Sequence, residues 1–88
     1  PRGACFDHQG SLIVTDYYEH NLKVFNHEGK LIQVIGREGE GEGELFNPFG
    51  IGVLCDGRIV VSEAECINKR ISIFNRDGSF SHWIGIGI

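Results

Sequence analysis

"PFGIGVLCDGRIVVSE", residues 48–63, reads as two short strands around a tight turn. A proline and a glycine open it and an apolar run follows. Asp56 and Gly57 then break the run, before "RIVVSE" resumes the period-2 alternation of a β-strand. One such unit is only a hairpin. Its second copy decides the fold: "PRGACFDHQGSLIVTD", residues 1–16, follows the same plan at an offset of 47. Pro1 matches Pro48, Gly3 matches Gly50, Gly10 matches Gly57, and Asp16 matches Glu63.

The likeness continues outward. "VFNHEGKLIQVIG" (24–36) and "IFNRDGSFSHWIG" (73–85) align at an offset of 49, so the second copy carries two extra residues between its second and third strands. The runs "SLIVTD" (11–16), "LKVFN" (22–26), "KLIQVIG" (30–36), "RIVVSE" (58–63) and "RISIFN" (70–75) are short and rich in β-branched residues. "HQG", "HEG", "CDG" and "RDG" stand between strands as three-residue hairpin loops whose glycine takes a positive φ. No window has a helical period with caps. The chain is therefore predicted to be all-β, with four strands per copy. Four-strand units recurring every ~40–50 residues indicate propeller blades.

These residues resemble the NHL repeat. The shared pattern is P-x-G before an apolar strand, then N-x-R-I-x-I-F, a D-G turn, and a glycine-rich passage leading to the next P-x-G. "NKRISIFNRDGSF" (68–80) carries the resemblance best, and the "VFN.EG" turn is most similar to propellers of the tripartite-motif (TRIM) and Brat type. The resemblance implies a sector of two four-stranded antiparallel blades, residues 1–47 and 48–88, belonging to a ring of six. It also implies that "GREGEGEGELFNPFG" (36–50) holds the connector between blades, residues 36–49. A phosphate loop is excluded there, because G-K-[ST] is missing and Glu38, Glu40, Glu42 and Glu44 would repel phosphate. A calcium loop lacks its spaced Asp and Asn ligands. A solvated connector is the expectation.

Composition agrees. A hydrophobic share of 41% suits a globular chain, and thirteen glycines with only two prolines suggest many turns. No apolar run approaches the ~18 residues of a membrane helix. Three cysteines, Cys5, Cys55 and Cys66, with no close pair read as reduced intracellular thiols, hence a cytoplasmic location. The formal charge of −4 opposes a general nucleic-acid surface, though not a local one. Pro1 reads as the middle of a longer repeat array. Two blades alone leave an apolar face at each end, so further blades are expected, from a longer chain or from a homo-oligomer such as a trimer.

Strand direction sends the four hairpin loops to one rim. "YYEHN" (17–21), "AECINK" (64–69) and the connector go to the other, where binding is expected. The candidate ligand residues there are Tyr17, Tyr18, His20, Arg37 and Lys69. Aromatics beside cations suit single-stranded RNA or a protein or peptide partner. Arg70, seven residues after Glu63, is expected to form a structural ion pair with it. Asn21 takes that place in the first copy, which leaves Asp16 a neutral partner. Trp83 reads as packing. His8, His20, His27 and His82 make no metal-ligand spacing, no catalytic set stands out, and no cofactor is implied. A Cys66–His20 thiol–imidazole pair is opposed by blade separation. The function implied by the resemblance is a non-enzymatic recognition module, within a TRIM-type ubiquitin ligase or a translational repressor. The alternative is a propeller enzyme of the amidating-lyase kind, whose His and Tyr pattern does not map here, or an extracellular sensor.

Overall fold

The computed structural model describes residues 3–63 and 70–85. Cys66 and Lys69 lie outside the described residues, so the thiol–imidazole idea and one candidate cation have no geometry. The rest forms eight strands. β1 (Ala4–Phe6), β2 (Leu12–Asp16), β3 (Asn21–Phe25) and β4 (Leu31–Ile35) make one sheet. β5 (Pro48–Val53), β6 (Ile59–Glu63), β7 (Arg70–Phe74) and β8 (Phe80–Gly85) make the other. Both are antiparallel meanders in sequence order, which is the four-stranded blade expected from the repeat.

The loops that join neighbouring strands follow from local chemistry. Asp7, Asn26, Leu54 and Asn75 each donate their amide to the carbonyl four residues on, which encloses His8–Gly10, His27–Gly29, Cys55–Gly57 and Arg76–Gly78. In the first loop the Asp7 carboxylate also accepts from the amides of Gln9 and Ser11, both at 2.9 Å. Asn26 does the same for Glu28 and Lys30. The last residue of each loop has φ between 83° and 95°, a conformation glycine adopts without steric cost.

Blade 1 turns Ile13, Thr15, Leu22, Val24 and Ile35 toward blade 2, and all five are buried. Blade 2 answers with Ile59, Val61 and Phe74. A bulge in each outer strand departs from simple alternation. Phe25 pairs with Leu31 while Val24 pairs with Gln33, so Ile32 is the extra residue. Ser81 is its counterpart in blade 2, between Phe80 and His82. The bulge puts Leu31 and Val34 on one face and turns Gln33 and Ile35 to the other. Gln33 then reaches across the blades, donating to Asp77 O at 2.7 Å.

Near the inner strands a hydroxyl joins the blades. Thr15, fully buried, accepts the Gly3 amide at 2.8 Å, and its own hydrogen lies between Gly3 O and Phe49 O, both at 3.3 Å. A Cβ on Gly3 would stand 2.5 Å from Phe49 O. Glycine is what allows the inner strands to approach so closely.

Candidate binding rim

The Tyr17–His20 turn and the connector meet at one rim. Asp16 accepts the His20 amide at 2.9 Å to close the turn, with His20 at φ 59°. That conformation aims the imidazole at the connector. Its Nδ1 accepts the Asn47 amide at 3.0 Å, its ring stacks on Phe46 at 5.0 Å, and its Nε2 lies 4.0 Å from Glu38. Asn47 in turn donates from its side chain to Tyr17 O at 3.0 Å. His20 is thus engaged in holding the connector.

The connector is an ordered loop. Leu45 donates to Arg37 O at 2.7 Å, Gly39 donates to Leu45 O at 3.0 Å, and Phe46 donates to a Glu63 carboxylate oxygen at 2.8 Å. The Leu45 side chain is wholly buried in the inter-blade core. Arg37 is exposed and donates to Glu44 at 3.1 Å, while the other Glu44 oxygen accepts from Gly41 at 2.9 Å. The Gly41 amide first, and Arg37 second, hold the Glu44 carboxyl below its usual range. Sequence reasoning missed Leu45, Phe46 and Asn47. The apolar pair Leu45–Phe46 after the Gly-Glu run was the available signal.

Tyr18 is the exposed aromatic of the rim, 75% accessible, with Tyr17 edge-on to it at 5.1 Å. Glu19, Glu38, Glu40 and Glu42 are also exposed there. At the opposite rim a cavity of about 40 Å³ between Asp7, His8, Gly57 and Arg76 is sized for water.

Arg70 has a neighbour beyond the carboxylate expected for it. Its guanidinium lies over the Trp83 ring at 4.2 Å, a cation–π contact, and its Nε and Nη2 are buried without a hydrogen-bond partner among the described residues. The β6–β7 register runs from Ile59 opposite Phe74 to Ser62 opposite Ile71, and one further step sets Glu63 opposite Arg70. One expectation is corrected in the first blade. Asp16 is not left with a neutral partner: Lys23, two residues beyond Asn21 on the same strand face, pairs with it at 3.0 Å and also donates to Asn21 at 2.9 Å. Among the described residues no group of three or more His, Cys, Asp or Glu could hold a metal ion. Burial first, and Asp7 second, push the Cys5 thiol up, which disfavours the reactive thiolate.

The chain is 45% identical over 49 residues to Protein lin-41 of Caenorhabditis elegans, covering 56% of this chain and 4% of that protein. It is 45% identical over 47 residues to E3 ubiquitin-protein ligase TRIM71 of Rattus norvegicus, covering 53% of this chain and 5% of that one. Protein brain tumor of Drosophila melanogaster is 32% identical over 89 residues, covering 100% of this chain and 8% of its own length. The chain therefore spans less than a tenth of each of these relatives, all of them NHL-repeat proteins. A family described as a 6-bladed beta-propeller matches residues 5–54. With two four-stranded blades and that match across more than half its length, the chain belongs to the six-bladed β-propeller family and carries NHL-type repeats.

Proposed function

We propose that this sector is a non-catalytic recognition surface, and that its connector rim binds a protein partner through a basic segment. The observation that carries the reading is the rim's charge. Glu19, Glu38, Glu40 and Glu42 are exposed, while Arg37, the exposed cation among the described rim residues, is already paired with Glu44. Clustered carboxylates with a protruding Tyr18 suit Lys- or Arg-bearing peptide, which gains charge attraction and an aromatic contact together. The chain would serve a larger cytoplasmic protein, a ubiquitin ligase such as the relative named E3 ubiquitin-protein ligase TRIM71 or a translational repressor, whose other activities lie in other domains.

Single-stranded RNA is the second reading, supported by the Tyr17–Tyr18 pair, since an exposed ring can stack on an unpaired base. The carboxylates oppose it within a Debye length of ~8 Å. Binding of the intact propeller to a basic peptide and to single-stranded RNA separates the two, using Tyr18→Ala and a Glu40→Lys, Glu42→Lys double variant. The protein reading expects charge reversal to abolish peptide binding. Stronger, more salt-dependent RNA binding after reversal, with peptide binding absent throughout, would overturn it in favour of RNA.

A further inference from the structure

The Asn47 end of the connector is fastened to the rim turn of the first blade at one imidazole. Among the described residues two non-glycine residues have a positive φ, His20 at 59° and Asn47 at 49°. That conformation is uncommon outside glycine and has to be held by its surroundings. Here the two residues hold each other, because His20 Nδ1 accepts the Asn47 amide at 3.0 Å. Asn47 passes the connection on by donating from Nδ2 to Tyr17 O, next to the exposed Tyr18. The His20 side chain is 17% accessible, with its ring stacked on Phe46.

This bond fixes where the ring carries its proton. An imidazole whose Nδ1 accepts bears its hydrogen on Nε2, which here lies 4.0 Å from a Glu38 carboxylate oxygen. A second proton must go to Nδ1, where it meets the Asn47 N–H head on. Two donors cannot share that position, so the bond is lost. The same proton turns the approach of Nε2 to Glu38 into an ion pair, and Glu38 is itself a connector residue, 64% accessible. The other charged groups around the turn are Asp16, held by Lys23, and Glu19, whose amide donates to Asp16. From β6 comes Glu63, which accepts the Phe46 amide, and on the connector Arg37 is paired with Glu44.

We infer that His20 is a proton-operated latch on the binding rim. Neutral, it holds Asn47 and through it the Tyr17–Tyr18 turn; protonated, it lets Asn47 go and draws Glu38 in. Histidine is the side chain that changes charge between pH 5 and 8, so the rim is latched at the upper end of that range and loosened at the lower. The effect on binding rests on the reading of this rim as the acceptor of a basic segment. Acid takes the exposed Glu38 carboxylate into an ion pair and frees the turn that presents Tyr18, so a basic partner is held less well. Lys and Arg in such a partner keep their charge throughout, which places the change on the rim.

Amide exchange of the intact propeller, corrected for the intrinsic rate, reads the latch without any ligand. Between about pH 8 and about pH 5.5 the protection of Asn47 is expected to fall roughly three- to tenfold, the worth of one hydrogen bond, while amides in β6 keep theirs. His20→Asn leaves an acceptor at the place of Nδ1, suits a positive φ and does not titrate. Its Asn47 protection is expected to be the same at both pH values. His8, His27 and His82 remain in that variant, so a response it retains belongs to them. Unchanged protection in the wild type, or an equal fall in His20→Asn, would overturn the latch. An oligolysine peptide then reads the consequence, with about two- to fivefold weaker binding to the wild type at the lower pH and no such change in His20→Asn. Equal peptide affinity at both pH values despite a loosened Asn47 would overturn the control of binding. Peptide binding absent at either pH, with the Asn47 response intact, would sink the basic-segment reading and leave the latch standing.

Discussion

Leu45→Ala is the sharpest test of how the connector is held. The side chain is fully buried among Ile13, Leu22, Ile35 and Phe74, although it comes from a loop that otherwise presents carboxylates to water. Truncation removes three buried carbons, the Cγ methine and both Cδ methyls, and leaves a hole that the two flanking sheets can only partly close. Leu→Ala at such a site costs about 2–5 kcal/mol. That is a large share of the roughly 5–15 kcal/mol that stabilises a small domain. At about 4–8 °C per kcal/mol for a domain of this size, the melting temperature falls by at least about 8 °C. Urea unfolding followed by the fluorescence of Trp83 measures it, at one protein concentration throughout so that association does not shift the midpoint. Glu40→Ala and Glu42→Ala, on the exposed side of the same loop, are the controls and are expected to change stability by less than about 0.5 kcal/mol. A Leu45→Ala cost no larger than theirs would refute the anchor and make the connector a loose tether.

Thr15→Val keeps the shape and removes the hydroxyl, so it is expected to cost about 1–3 kcal/mol by orphaning the Gly3 amide, whereas Thr15→Ser keeps both hydrogen bonds. Equal stability of the valine variant and wild type in urea would remove the hydroxyl link. Arg70→Ala and Glu63→Gln are expected to couple in a double-mutant cycle, and additive effects would leave Arg70 held by Trp83 alone. Asp16 has its folded-state pKa lowered, first by the Lys23 hydrogen bond. Its contribution is therefore complete above the ordinary value of 3.8 and is lost as pH falls through the lower folded value. Melting temperature against pH in Lys23→Met is expected to lack that acid limb, and an unchanged limb would assign it to other carboxylates.

The four hairpin loops were legible because each is specified within five residues. A paired residue, a turn of set length and a glycine at positive φ suffice, and the structure encloses the same three residues in every case. Strand order was legible for a related reason: short loops leave only neighbours to pair with. The outer-strand bulges were not. "LIQVI" alternates well enough to place Leu31, Gln33 and Ile35 on one face, and only pairing with Val24 and Phe25 shows that Ile32 is skipped. The partner of Asp16 was missed in the same way. The repeat alignment looked for its cation at position 21, while the pleat brings position 23 back to the same face. His20 was read as a rim ligand from its residue type and loop. Its positive φ, which points it at Asn47 and Phe46, is a property of the closed turn and cannot be read from residue order.

The two rims differ in how much of their backbone is committed. On the hairpin rim every loop has the same length in both copies, and side-chain oxygens of Asp7, Asn26, Asp56 and Asp77 satisfy its amides, so a change there disturbs a strand register. The connector rim carries the two-residue difference between the copies, and its loops are held by a few long-range bonds: His20 to Asn47, Glu63 to Phe46, and Leu45 in the core. Residues between those anchors, such as Tyr18, Glu40 and Glu42, can vary without cost to pairing within either sheet. A surface that can change while its scaffold does not is where specificity accumulates among repeats that share a fold. The same anchors predict which changes will not be tolerated. His20→Ala removes the acceptor of the Asn47 amide and the ring stacked on Phe46 together, so it should loosen the connector and move Tyr17 with it. Faster amide exchange at Asn47, without faster exchange in β6, is the expected signature. Equal acceleration in both would mean that the connector and the blade open as one unit, and that the rim is no more adaptable than the sheet beneath it.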